Sequence, residues 1–348
     1  MTAGPCLAGG PTSGAQRGCR AFPDLVETDM FSSSPCHSLI VLSLVLSLVQ
    51  VACSSKSDEA AVDSSEDAGA SHDGGDGGDG GDGGDGDDAQ ADWSFAPGIQ
   101  TFTIDEEISG EVVTREIVVH MPPDTSEPLP VLFAFHGAAG EAEQWIPELA
   151  ELVDSGAFIG IYPQGHNGVW ALGPEPSDAD DLSFVNAIIN RIDDSAAVDA
   201  SRMYALGYSN GAGMVHLLGI ETDHFNAFAA LASALHADNQ PLAGLHTESV
   251  LQIHGMQDAI CPYEGGESEV GHDFEHAETS IAVWAAAVDC DDPPIEEVMD
   301  NGDIWITWLD CPDDRVVQHI GLAEAGHDLP RDFERGLMSF VWNFLSRR

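Results

Sequence analysis

The chain has 348 residues, 60 of them acidic and 11 basic, for a formal net charge of −49 with the histidines neutral. Residues 93–348 carry 44 acidic side chains, eight arginines and no lysine, so nucleic acid, itself a polyanion, is not expected as a partner. The length would allow one large or two small domains, but residues 1–92 hold too few clustered apolar side chains to bury a core, which leaves a single domain over residues 93–348.

In chain order, residues 39–52 come first, apolar except for Ser43, Ser47 and Gln50. The run is too short to span a bilayer comfortably and reads as the apolar region of an export signal. It ends in Val51-Ala52-Cys53-Ser54-Ser55 and so resembles a bacterial lipoprotein signal cleaved before Cys53, with Gln50 standing where such signals prefer Leu or Val. A plain secretory signal or an uncleaved anchor is the alternative, and a start at Met30 would leave no Lys or Arg ahead of the run. Residues 1–53 are therefore expected to be a signal peptide, with Cys53 lipidated. The mature protein is expected outside the cell or on its surface, as an outer-membrane lipoprotein of a bacterium whose one membrane contact is that lipid. Residues 54–92 hold thirteen acidic residues, one lysine and an Asp-Gly-Gly repeat over residues 73–84. Without an apolar cluster they read as a disordered acidic linker. Calcium loops need ligands at graded spacing ending in a bidentate Glu, which the repeat lacks.

From residue 93 onward strand and helix patterns alternate. Strands are expected over residues 112–121, 129–135, 158–162, 203–208, 228–232, 250–254, 304–309 and 316–322. Helices are expected over residues 141–154, 180–194, after Ser209, and over 275–288 and 331–345; in the second of these Leu182, Val185, Ile188, Ile189 and Ile192 share one face. Such alternation implies an α/β domain built on a mostly parallel sheet with helices on both faces, and active sites in these sheets gather at the carboxyl ends of the strands.

The chemistry centres on Gly207-Tyr208-Ser209-Asn210-Gly211, where an apolar strand runs into a helix. A strand–turn–helix with small residues two before and two after a serine is a nucleophile elbow, and Ser209 is the candidate nucleophile. A serine hydroxyl needs a histidine to take its proton and a carboxylate to orient that histidine. Asp258, three residues past Gly255 at the end of a buried strand, is the candidate acid, and His327, in the loop after residues 316–322, the candidate base; the order Ser, Asp, His is the one this strand–helix arrangement uses. An oxyanion needs two aimed backbone N–H donors, expected at Asn210 and, in the His-Gly turn after residues 129–135, at Ala138. His254 is expected to be structural, and His136 to hold its loop in place. His272 and His276 lie four apart, a spacing that can bind zinc, but no third ligand stands out and no metal or other cofactor is expected.

With those residues placed, the chain resembles the secreted polyhydroxybutyrate depolymerase and feruloyl esterase group of α/β-hydrolases. The resemblance rests on Phe135-His136-Gly137, Tyr162-Pro163-Gln164-Gly165 with Asn167-Gly168-Val169-Trp170, Asp180-Asp181 heading a helix, Tyr208-Ser209-Asn210-Gly211, His254-Gly255-Met256-Gln257-Asp258 with Pro262-Tyr263-Glu264-Gly265-Gly266, and Gly326-His327. It implies an α/β-hydrolase fold and a serine carboxylic-ester hydrolase working through an acyl-enzyme. The ester substrate would be a feruloyl or acetyl ester of polysaccharide, or a short-chain polyhydroxyalkanoate. A non-catalytic surface-binding module of the same fold and a serine peptidase are the alternatives. Trp170, Tyr208 and His136 are the candidate substrate contacts, with core packing the equal alternative for Trp170. Members of the group often carry two cysteines between the acid and base segments, which implies a Cys290–Cys311 disulfide and leaves Cys261 as a free thiol, with its pairing to either of those two the alternative. The chain departs from the group around the base, where it reads Glu324-Ala325-Gly326-His327-Asp328-Leu329-Pro330, and after the elbow, where Ala212 stands in place of a glycine.

The charge excess of residues 93–348 makes folding work against self-repulsion, which salt screens. The thermal midpoint is expected to rise between about 0.01 M and about 1 M sodium chloride, over which the screening length shrinks from about 30 Å to about 3 Å; a maximum at the low-salt end would contradict this.

Overall fold

A computed structural model describes residue 93 and residues 95–348, apart from residues 125, 194, 245–247, 292 and 348. The signal peptide, Cys53 and the acidic linker lie outside the described residues.

A ten-stranded sheet forms the centre. Its strands are β1 (Gly98–Ile108), β2 (Glu111–Met121), β3 (Leu129–Phe135), β4 (Ile159–Pro163), β5 (Val198–Tyr208), β6 (Ala227–Leu231) and β7 (Ser249–Gly255), followed, after a two-residue pair β8 (Gly266–Glu267) and β9 (Asp273–Phe274) outside the sheet, by β10 (Ile295–Val298), β11 (Ile304–Trp308) and β12 (Val317–Leu322). The spatial order is β1-β2-β4-β3-β5-β6-β7-β12-β11-β10. The six strands from β4 to β12 in that order run parallel, while β1, β2, β11 and β10 extend the sheet antiparallel at its two ends.

Side chains alternate through the sheet as strand geometry requires. On β3, Val131, Phe133 and Phe135 enter one core cluster, with α2 (Asp181–Ile192), α3 (Asn210–Glu221) and α4 (Ala277–Ala287) above them. Leu132 and Ala134 enter the other, against α1 (Trp145–Asp154) and α5 (Leu337–Leu345). Both faces are thus covered, which is why the parallel strands read as nearly unbroken apolar runs. α3 is buried around most of its circumference, with Gly211, Met214, Val215 and Leu218 all enclosed.

The edges are what the sequence hid. β1 pairs with β2 through Ile108↔Glu111 across the tight turn Ser109-Gly110, both at positive φ, the geometry a two-residue hairpin favours. β10 is exposed along its whole length, so no burial pattern marks it. Helix starts also shift inward: residues 142–144 and 333–335 are 3-10 turns ahead of α1 and α5, and α4 begins at Ala277, with the His276 ring accepting the Glu278 N–H at 3.2 Å as its cap.

Cys290 and Cys311 are joined as a disulfide across 21 residues, tying the chain after α4 to the chain after β11; Cys261 is buried and free. Replacing both bridged cysteines by serine is expected to lower unfolding stability by about 3 kcal/mol, the loop-closure value for a ring of this length, read as a shift in urea midpoint.

Candidate active site

Ser209 stands where β5 ends and α3 begins, at φ 55° and ψ −119°, a conformation that side-chain-bearing residues rarely adopt. Backbone crowding keeps it there. A Cβ on Gly207 would run into the Gly211 carbonyl, and one on Gly211 into the Phe135 carbonyl. The Ser209 N–H donates to the Leu231 carbonyl at 2.9 Å, which pins the turn to β6.

The loops after β7 and β12 bring the other two groups to it. His327 Nε2 lies 2.9 Å from Ser209 Oγ, and Nδ1 lies 2.8 Å from Asp258 Oδ2. A carboxylate only accepts, so Nδ1 carries the ring proton and Nε2 is left to accept from the serine hydroxyl. Asp258 Oδ1 accepts the N–H groups of Ile260 and Cys261 at 2.8 and 3.0 Å. His254 is wholly buried; its Nε2–H is shared between the Cys261 carbonyl at 2.9 Å and Asp258 Oδ2 at 3.3 Å. Burial by itself raises the Asp258 pKa, but the bonds from His254, His327 and the Cys261 N–H outweigh it and hold the carboxyl well below the usual range. A Cβ on Gly255 would strike the Gly326 carbonyl, so the loops bearing Asp258 and His327 pack backbone against backbone.

The His136-Gly137 turn faces the elbow, for a Cβ on Gly137 would come within 3.3 Å of Ser209 Cβ. Ala138 follows at an exposed position and Asn210 opens α3. Among the described residues, neither of their backbone N–H groups is paired with a protein acceptor, as expected for the first turn of a helix and the crest of a turn. Tyr208 is half-buried, its hydroxyl donating to the His327 carbonyl at 3.1 Å. Beside these groups opens a cleft of about 530 Å³, floored by Trp145, Leu231, Leu329, Leu337 and Met338, with the Glu148–Arg331 ion pair at its rim at 2.7 Å.

Two expected substrate contacts are corrected. His136 and Trp170 have no exposed surface. His136 Nε2 accepts the Gly165 N–H at 2.9 Å, and its Nδ1 faces the Gly137 carbonyl at 2.8 Å. Trp170 Nε1–H donates to the His136 carbonyl at 2.9 Å. Both are used up in holding the turn from behind, and neither faces the cleft. His272 and His276 have separate partners: His272 bonds Glu175 Oε1 at 2.6 Å while His276 faces Glu264 at 3.4 Å.

Sequence reasoning missed the charged support beneath. Arg115 on β2 is buried, with Nη2 at 2.7 Å from Asp181, Nη1 at 3.0 Å from Glu106, and its guanidinium 3.7 Å over the Phe184 ring. Asp181 Oδ2 accepts the Ala171 N–H at 2.7 Å, which fixes the segment carrying Trp170. The signal was an arginine at an inward-facing position of β2, flanked by Thr114 and Glu116, together with the acidic helix start Asp180-Asp181.

No family model matches the chain. A feruloyl esterase B from Piromyces equi is 29% identical over 204 residues, covering 54% of this chain and 38% of that protein. A feruloyl esterase C from Emericella nidulans is 29% identical over 168 residues, covering 44% of this chain and 58% of that protein. The chain thus spans between about two fifths and three fifths of the length of these relatives. The acetyl xylan esterase from Aspergillus awamori superposes with a TM-score of 0.52 at 15% identity, covering 71% of this chain and 98% of its own, a likeness of fold alone. The sheet order, the elbow at the end of a central strand and the two loops converging on it have the arrangement of the α/β-hydrolase fold. Among curated proteins the chain is similar to feruloyl esterases.

Because the folded-state pKa of Asp258 is depressed, its contribution to stability is present above the ordinary carboxylate pKa of about 4 and fades as pH falls below it. The stability gap between wild type and Asp258→Asn, measured by urea unfolding, is expected to be widest near neutral pH and to shrink toward about pH 3; a gap that widens on acidification would refute the assignment of that carboxylate as ionised and bonded.

Proposed function

We propose that the protein is an exported serine carboxylic-ester hydrolase in which Ser209 is the nucleophile, His327 the general base and Asp258 the group that orients it. The observation that carries this is the unbroken chain Ser209 Oγ–His327 Nε2 at 2.9 Å and His327 Nδ1–Asp258 Oδ2 at 2.8 Å. Ser209 Oγ attacks the ester carbonyl as its proton passes to His327 Nε2. Negative charge gathers on the former carbonyl oxygen, where the Asn210 and Ala138 N–H groups receive it, each such donor being worth about 3 kcal/mol of barrier. The tetrahedral species collapses as His327 returns the proton to the departing alcohol, leaving Ser209 acylated; water, deprotonated by His327, then releases the acid and restores the serine. No cofactor enters these steps.

The cleft beside the oxyanion turn supplies the acyl or alcohol pocket, its floor of Leu231, Leu329, Leu337, Met338 and Trp145 suiting an apolar or aromatic group, with Tyr208 as its wall. Among the described residues the large apolar side chains that are strongly exposed, such as Ile99, Val112, Leu242, Val298 and Leu309, do not line this cleft. That supports an ester carried on a hydrated saccharide, feruloyl or acetyl, over adsorption to an insoluble polyester. The Cys290–Cys311 bridge fits an exported domain.

Hydrolysis of p-nitrophenyl acetate, p-nitrophenyl butyrate and methyl ferulate by the full chain is expected, with Ser209→Ala lowering kcat by about 10⁴-fold or more. Equal traces from wild type and variant would point to a non-catalytic binding module, and amide turnover exceeding ester turnover to a peptidase.

A further inference from the structure

Asn210 has an unusually constrained side chain for a residue that opens a helix. Its Oδ1 accepts the Trp170 N–H at 2.7 Å, and its Nδ2–H₂ donates to the Trp170 carbonyl at 3.2 Å and to Glu175 Oε1 at 3.0 Å. Glu175 is itself held at three points. Its Oε1 also accepts from His272 Nε2 at 2.6 Å and its Oε2 accepts the Leu172 N–H at 3.0 Å, and both the Glu175 and His272 side chains are about nine-tenths buried. The His272 ring is in turn stacked on His236, with centroids 4.0 Å apart. Burial works to raise the Glu175 pKa, but the His272 bond and the backbone donors bring it below the usual carboxylate value. A carboxylate so placed touches neither Ser209 nor the cleft; what it reaches is the side chain of the residue directly after the nucleophile.

We infer that Glu175 is a positioning residue for the oxyanion site: by anchoring the Asn210 side chain alongside Trp170, it fixes the direction of the Asn210 backbone N–H. This rests on the esterase reading above. The physical reason is that an oxyanion donor accelerates reaction only if it is already aimed when charge develops, and small displacements of a catalytic group cost disproportionately. His272, brought in by β9 from 97 residues away in sequence, holds Glu175 in its turn. The effect therefore falls on turnover, with little effect on ground-state binding.

The test is steady-state hydrolysis of p-nitrophenyl butyrate by the full chain, with thermal midpoints recorded alongside. Glu175→Met, of similar length but accepting no hydrogen bond, is expected to lower kcat about tenfold with KM within about twofold. Glu175→Gln, whose amide oxygen still accepts from Asn210, is expected to stay within about twofold of wild type in both. Asn210→Ala, which keeps the backbone N–H but loses the bonds to Glu175 and to Trp170 together, is expected to lower kcat at least as much as Glu175→Met, and the double variant to be no slower than Asn210→Ala, because the Glu175 contact is already gone there. Losses that multiply in the double variant would overturn the inference, as would a Glu175→Met effect confined to KM. Should Glu175→Met not fold, Asn210→Ala decides, and an unchanged kcat there overturns it. If wild type exceeds Ser209→Ala while Glu175→Met equals wild type, the inference falls alone; if wild type and Ser209→Ala are equal, the esterase reading falls and this inference with it.

Discussion

Contact between bare backbone atoms at the junction of β3, β5 and α3 sets the geometry of everything above the sheet. Gly207 and Gly211 let the elbow close on itself, and Gly211 also lies against the Phe135 carbonyl, where β3 gives way to the His136-Gly137 turn. A single side-chain carbon at either glycine would part those segments. Ser209 would then lose both its positive φ and its distance to the turn that carries Ala138. Overpacking of this kind typically costs about 1–3 kcal/mol, and here the displacement would fall on the Ser209–His327 contact as well. The same device recurs on the far side of the site, where Gly255 admits the Gly326 carbonyl. The three candidate catalytic groups thus reach one another because three loops are allowed to touch.

Around that junction the buried polar groups form a graded support. Asp258 takes donors from His254, His327 and two backbone amides. His136 and Trp170 hold the turn from behind, and Asp181, braced by Arg115, holds the segment bearing Trp170. A buried ion pair such as Arg115–Asp181 is poor evidence of net stability, because desolvation offsets much of its attraction. What it supplies here is a fixed anchor reaching from β2, near the edge of the sheet, toward the elbow at its centre.

How much of this was legible in the sequence depended on whether the constraint was local. The glycines flanking Ser209, the strand-to-loop transitions at Asp258 and His327 and the His-Gly turn are short-range patterns, and they sufficed to pick out the main strands and the groups that the fold brings together. Trp170 and His136 fail as substrate contacts, the loop-holding and core-packing readings standing instead, because a motif shows that a residue is near a site and gives no direction for its side chain. β1 and β10 escaped because edge strands are partly or wholly solvated and lack a clean burial period, although Ser109-Gly110 was a hairpin signal open to reading. The meeting of Glu175 with His272 could not be read at all: it joins two loops without periodicity across 97 residues, and only the folded chain reveals that both serve Asn210.

The antiparallel strands that close the two ends of the sheet carry a consequence for handling the protein. β10 reads Ile295-Glu296-Glu297-Val298 and is exposed throughout, a short apolar edge guarded by two carboxylates, the kind of charge that keeps open edges from pairing with one another. At low ionic strength two copies meeting at this edge repel; concentrated salt screens that repulsion while leaving Ile295 and Val298 as sticky as before. Conditions that favour the folded chain by relieving its internal charge therefore also disarm its protection against edge-to-edge aggregation, so colloidal stability and conformational stability pull in opposite directions along the same axis.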